Sequence, residues 1–490
     1  MKLAAAAFLV VVALGWTGFA AAGPQFGFAE DATKYSDDGG DKLYAEMNKL
    51  GATVNRVAVF WNADEPSTIQ EQGFLDRMVP VAASHGIQLV FAIYPQRALM
   101  APTTPLTVDE FCNYAVQVMR RYPSVRKVVI GNEPNQPRFW QPLFDPDGSP
   151  ASPAAIEAVL ASCYDKLKAF DPTIDVIGVG LSPRGNDDPH APSNASISPV
   201  RFIAALGKAY RASGRTAPLF DEWSWHCYPN SNTDAVETGY PWPDTGCVNA
   251  ARVKLALWDA FHDTGQPVTP DVLKMFVDEV GWQVDTSHLP GYVNAENVTT
   301  VSESQQASDY AKLVHLADCE PTVTDFNIFH EIDEASRIGF QSGVLRADFT
   351  ERPAASAFGG SLQQAIVGDG GGCIGGTWAA LGSFLYPTTT VVPVYKTFPY
   401  RNPQPYALRV ATAGGEAVRL QAGEAFSYSI TFTNGLWTTT VAGATRTLTA
   451  TVTVPAGFAY GSATAALAAE TNPARTATAV VALHASGLSP

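Results

Sequence analysis

The stretch VDEFCNYAVQVMRRYPSVRKVVIGNEPN, residues 108–135, carries the pattern that decides the fold. Its first half is amphipathic, with apolar side chains at helical spacing, and it runs into Arg120 and Arg121 just before Pro123. Its second half, Lys127 to Asn132, is a short apolar, β-branched run closed by Glu133 and Pro134. A helix feeding a strand, with polar residues held back to the strand's end, is one repeat of a parallel sheet whose helices pack outside it.

Outward from that stretch the same unit recurs about every 40 residues between Gly23 and about Leu345. The strand candidates are Phe26 to Ala29, Val54 to Trp61, Gln88 to Tyr94, Lys127 to Asn132, Val176 to Leu181, Leu219 to His226, Met275 to Gly281 and Thr324 to His330. Segments such as LYAEMNKLG, AAIEAVLASCYDKLKAF and PVRFIAALGKAYRASG lie between them, and several end in Gly, as helix C-termini commonly do. Eight strand–helix units predict an α/β fold, a (β/α)8 TIM barrel. An open doubly wound sheet is the competing topology, but no Gly-rich nucleotide fingerprint follows the first strand. After GDGGGCIGG, and clearly from about Thr388, the chain changes character. Runs such as FSYSITFT and TRTLTATVTV alternate with period two between Gly, Asn and Pro, which predicts a small C-terminal all-β sandwich. The expected division is a signal peptide at 1–22, a catalytic barrel at 23–375 and a β-sandwich accessory domain at 376–490.

Composition narrows the partners. Of 490 residues 46% are hydrophobic and 16% charged, enough apolar side chain for a large core and too little charge for a disordered chain. Lys plus Arg is 32 against 47 for Asp plus Glu, a net charge of −15 that repels nucleic acid and anionic membrane surfaces. MKLAAAAFLVVVALGWTGFAAA, residues 1–22, has the charge, short apolar run and small-residue end of a secretory signal, so a secreted, monomeric protein is expected. Six cysteines suit an exported chain. Cys227 and Cys247 bracket a Pro/Gly/Asn-rich excursion and make the first expected disulfide; Cys112 with Cys163, on helices that a barrel makes neighbours, and Cys319 with Cys373 complete the set.

In a barrel of this kind chemistry belongs at the C-terminal ends of the strands. Two carboxylates stand there: Glu133 closes the fourth strand in KVVIGNEPN and Glu279 closes the seventh in KMFVDEVGWQ. Strands four and seven face each other across an eight-stranded barrel, so two carboxyls can converge on one bond, as glycosidic cleavage requires. Asn132-Glu133-Pro134 and Glu279-Val280-Gly281-Trp282, in these places, resemble clan A of the glycoside hydrolases, and the resemblance spans Phe26 to about Phe358. It implies a retaining glycosidase with Glu133 as acid/base, Glu279 as nucleophile and Asn132 on the sugar 2-hydroxyl. Arg56 on strand two, and His226 and Tyr228 at the end of strand six, match the clan's supporting positions. At strand eight many clan members carry a sugar-stacking Trp; this chain reads DFNIFHEIDEAS, which leaves His330 to fill that place, with Glu331 and Asp333 beside it.

Each assignment has a plainer competitor. Asp278 competes with Glu279, and strand alternation turns only one of them inward. Asp221 and Glu222 read as packing or subsite residues, His226 as a ligand or a buried hydrogen-bonded histidine, and Trp282 as a sugar-contacting or core aromatic like the other tryptophans near strand ends. No HxH or HExxH spacing supports a metal hydrolase, so neither metal nor cofactor is expected. A carbohydrate-binding or transglycosylating barrel with little hydrolysis is the alternative function. The long segments after strands five, six and seven are expected to wall the active face and tilt the reading toward a pocket.

Overall fold

The computed structural model describes residues 24–367, except 237, 242, 269–271, 319 and 321, together with strands between 400 and 484. Eight parallel strands close into a barrel in chain order: β1 Gln25–Ala29, β2 Val54–Trp61, β3 Gln88–Pro95, β4 Lys127–Ile130, β5 Asp175–Leu181, β6 Glu222–His226, β7 Met275–Val280 and β8 Val323–Ile328. The helices Asp41–Leu50, Gln72–Ser84, Pro105–Arg121, Ser152–Phe170, Pro199–Ser213, Ala250–Phe261 and Glu303–Asp318 connect successive strands, and Pro353–Val367 follows the last. The barrel expected from the sequence is present, strand for strand.

Two apolar layers follow from strand alternation. Val54, Ala58, Val90, Ala92, Tyr94, Val129, Ile177 and Phe276 fill the barrel, while the opposite faces of the same strands pack against the helices. β7 and β8 are one residue shorter than their sequence patterns, and two strands are shortened more. β4 stops at Ile130 because Gly131 (φ 109°) and Glu133 (φ 40°) turn the chain out of the ladder. β6 begins at Glu222 because the Leu219 N–H is captured by Gln266 Oε1 at 2.7 Å instead of a neighbouring strand.

The barrel floor is ionic. Lys127, opening β4, lies 3.2 Å from Glu222 Oε1 and also pairs with Asp325. Asp221 accepts from the Val176 N–H at 2.8 Å and pairs with Lys168 at 2.7 Å. Asp221 and Glu222 therefore serve the end of the barrel opposite Glu133, as packing residues and not as a subsite.

Cys112 is bonded to Cys163, and Cys227 to Cys247, each with a Cα separation of 4.7 Å. Cys319 with Cys373, like the segment 1–22, lies outside the described residues. In the C-terminal part, strands from Tyr400–Arg401 to Asn472–His484 form a six-stranded antiparallel sheet, and Leu408–Thr412 pairs with Gly415–Leu420. Among the described residues no helix is long and apolar enough to cross a membrane.

Candidate active site

The turn after β4 is fixed before its side chains are considered. The Glu133 N–H donates to Gly180 O on β5 at 2.9 Å, and the buried Asn135 ties the same turn to the next loop through Ser182 N (3.0 Å), Ser182 O (3.1 Å) and Ile197 O (2.9 Å). Glu133 is thereby held with a positive φ, a conformation that costs a non-glycine residue energy and survives only where its surroundings impose it. Its carboxyl is directed at β6, where Oε1 lies 2.9 Å from His226 Nδ1.

Glu279 approaches from the other side. Its Oε2 accepts from the Tyr228 hydroxyl at 3.0 Å and lies 3.4 Å from His226 Nδ1, while Oε1 lies 3.1 Å from Arg56 Nη1. Arg56 also donates from Nη2 to Asn132 Oδ1 at 2.6 Å. The structure thus brings Glu133, Glu279, Arg56, Asn132, His226 and Tyr228 into one connected group, with Arg56 reaching from within β2 to the C-terminal ends of β4, β6 and β7.

Asp278 belongs to this group, which corrects the expectation that alternation selects one carboxylate of the Asp278-Glu279 pair. By parity with Phe276, Asp278 faces the barrel interior, and there it meets Arg56 Nε at 2.9 Å, Ser224 Oγ at 3.1 Å and His226 Nε2 at 3.5 Å. The β7–β8 register shifts between Val277 and Val280, and the β6–β7 register between Trp225 and His226. These irregularities let Glu279 reach the same barrel mouth one layer above. Gly180 makes room for the arrangement: it has φ 55°, and a Cβ there would sit 2.8 Å from both Asp278 Oδ2 and His226 Nε2.

Charge accounts for the protonation states. Burial alone would favour neutral His226, but Glu279, Asp278 and Glu133 surround it and raise its pKa to about 10. Burial likewise opposes the charge on Arg56, and Asp278 and Glu279 more than offset it. For Asp278 burial acts upward, yet Arg56, His226 and Ser224 together hold it below the ordinary carboxylate value. Burial, with Glu279 and Glu133 beside it, pushes the Tyr228 hydroxyl well up, so it remains a proton donor.

Trp282 and His330 stand apart from the group. Trp282 is buried, and its indole donates to Asp234 O at 3.0 Å, bracing the excursion after β6. His330 is buried as well; Nδ1 donates to Ala29 O at 3.0 Å, and Nε2 faces Glu334 Oε1 at 3.5 Å. Neither lines the cleft above Glu133, which encloses about 550 Å³. Its walls are the loops after β4 to β8, including Gln136 and Arg138, Ser182 to Arg184, Pro229 to Asn232, Gln283 with Thr299, and Phe340. Tyr240 lines it too, whereas Trp61, Trp140, Trp223 and Trp225 are core.

Solved structures similar to the chain include a family 39 glycoside hydrolase from the gut symbiont Bacteroides cellulosilyticus WH2, at 17% identity and a TM-score of 0.47, covering 94% of this chain and 79% of that one. GH5_18 from Streptomyces cattleya, in complex with GlcNAc, is similar at 15% identity and a TM-score of 0.47, covering 70% and 81%. A GH39 β-xylosidase from Caulobacter crescentus is similar at 14% identity and a TM-score of 0.44, covering 88% and 79%. No family model and no curated protein matches the sequence.

Proposed function

We propose that the protein is a secreted glycoside hydrolase that cleaves O-glycosidic bonds with retention of configuration. In this reading residues 1–22 are a signal peptide, 23–375 the catalytic barrel and 376–490 a β-sandwich accessory domain. One observation carries the catalytic part: a single imidazole nitrogen, His226 Nδ1, lies 2.9 Å from Glu133 Oε1 and 3.4 Å from Glu279 Oε2. Those two oxygens can be no farther apart than the sum of these distances. That bound lies just under the roughly 6.5 Å at which carboxyl pairs of inverting enzymes begin, which supports direct attack by one carboxylate over attack by an interposed water.

Glu279 then attacks the anomeric carbon while Glu133 protonates the departing oxygen, and a covalent glycosyl-enzyme forms. Arg56 and Tyr228 orient the Glu279 carboxylate for that attack. Water opens the intermediate with Glu133 as base, and two inversions return the original anomer. Asn132, whose carbonyl oxygen is occupied by Arg56, keeps its amide donor for the sugar 2-hydroxyl. Trp282 and His330 act through the loops they brace. The walls around the cleft support a pocket for short glycosides.

A panel of nitrophenyl glycosides identifies the sugar, and NMR of the first-formed product identifies the stereochemistry. A retained anomer is expected, with Glu279→Ala inactive and rescued by azide to the inverted glycosyl azide. Glu133→Ala should lose about 10²- to 10⁴-fold on substrates whose leaving group needs a proton and far less on dinitrophenyl glycosides. An inverted first product removes the nucleophile assignment.

A further inference from the structure

The charged residues among the described ones lining the cleft are Glu133, Arg138 and Arg184. With Glu279 at its mouth, the cleft sets two arginines against two glutamates, a balanced site in a chain whose overall charge is −15. Both arginines are exposed to it, and neither is ion-paired with a carboxylate among the described residues. The acidic groups whose charge reaches them are engaged elsewhere: Glu334, near Arg138, faces His330, and Asp244, near Arg184, accepts from the Gly185 N–H at 3.0 Å.

Each guanidinium is nonetheless held. Arg184 Nη1 donates to Asn230 O at 3.1 Å, and its own carbonyl accepts from Gln136 Nε2 at 2.6 Å, so backbone and side chain are pinned across the loops after β4, β5 and β6. Arg138 lies over the Phe139 ring, 5.7 Å from its centre. These contacts fix position without neutralising charge, and Arg184 retains its Nε and Nη2 donors. A planar fork with open donors is matched by a carboxylate or a sulfate, which accepts two parallel hydrogen bonds from it. The neutral amides of Gln136, Asn230, Asn232 and Gln283 in the same walls suit hydroxyl groups.

We propose that the preferred substrate is an anionic glycan, in which a sugar bearing a uronic carboxylate or a sulfate ester is seated by Arg138 and Arg184 beside Glu133. This rests on the glycosidase reading and deepens it.

The test compares matched nitrophenyl glycosides and oligosaccharides in three forms, neutral, uronic and sulfated, for hydrolysis by the whole protein and for binding to Glu279→Gln. Anionic forms should be turned over at least about tenfold better than neutral ones. The advantage should shrink as salt is raised, and whether the uronic or the sulfated set responds identifies the anion. Arg184→Gln and Arg138→Gln should each lower kcat/KM on the anionic form by about 10- to 100-fold, the scale of a lost charged hydrogen bond, and leave the neutral form within about threefold. Arg184→Lys, which keeps the charge without the fork, should fall between. Both residues are exposed, so unchanged thermal unfolding is expected and separates these losses from misfolding. Neutral glycosides turned over as fast as anionic ones, or arginine variants that slow both alike, would overturn the anionic assignment and leave the glycosidase standing. Anionic glycans bound but never hydrolysed would sink the glycosidase reading alone. Failure to bind or cleave any member of the three sets would remove both.

Discussion

Asp278→Asn removes one negative charge from beneath the two glutamates while keeping the shape of the side chain. In the structure that carboxylate touches Arg56 Nε at 2.9 Å and His226 Nε2 at 3.5 Å, and it is fully buried. The His226 pKa stands at about 10 against an ordinary 6.5, a gap that corresponds to about 5 kcal/mol of preference for the imidazolium at about 1.4 kcal/mol per pH unit. Burial opposes the imidazolium, so the three carboxylates together contribute more than this net preference, and an equal share for Asp278 is at least about one pH unit. The sign follows from linkage. A histidine whose pKa rises on folding contributes its full stabilisation below about 6.5 and loses it as the pH climbs through about 10. In Asp278→Asn that loss should begin at least about one pH unit earlier. At pH 6 the variant should also be less stable by about 3 to 5 kcal/mol, because Arg56 keeps its charge in a buried place with one partner gone.

Urea unfolding at pH 6 and pH 9.5, together with the alkaline limb of the kcat/KM profile, reads both effects. Asp278→Ser serves as a second variant that keeps a hydroxyl acceptor but no charge. A loss below about 1 kcal/mol at pH 6, with an alkaline limb superimposable on that of the wild type, would refute the idea that a third carboxylate sets the charge of the cleft.

Gly180→Ala should be nearly as damaging although it adds one methyl. The new Cβ would lie 2.8 Å from both Asp278 and His226 at a φ of 55°, so about 1 to 3 kcal/mol of strain is expected, with activity lost at temperatures where the fold persists; wild-type kcat/KM in this variant would contradict the packing described. Cys112→Ala with Cys163→Ala opens a link spanning 51 residues, for which chain entropy gives about 4 kcal/mol, readable as a lower urea midpoint with unchanged stereochemistry of the product.

Much of the barrel was legible because its signals are local. An apolar β-branched run such as Val54–Trp61 or Gln88–Pro95, followed by an amphipathic segment, reports its own secondary structure, and eight such units leave one closed arrangement. Strand ends were legible less well, because they are set by partners distant in sequence. Nothing near Leu219 announces that the Gln266 side chain, 47 residues on, will take its N–H out of the ladder. The motif around Glu133 was legible as chemistry, but the role of Asn135 was not. Its three hydrogen bonds go to Ser182 and Ile197, a loop that sequence reading treated only as a wall.

The choice between Asp278 and Glu279 shows why a rule can be sound and still mislead. Period-two alternation holds along β7 as far as Phe276 and Asp278, and taken alone it favours Asp278 as the group pointing into the barrel. What the rule lacks is the register shift between Val277 and Val280, a property of the pairing with β8 and invisible in β7 itself. Once the ladder is broken there, neighbouring residues need not face opposite ways, and the chain places two carboxylates at successive depths on one side. The deeper one is enclosed by Arg56, Ser224 and His226 and has no path to a sugar; the shallower one faces Glu133 across the imidazole. In the proposed reading depth decides between them: the carboxylate that is sealed in sets charges, and the one at the mouth is the nucleophile.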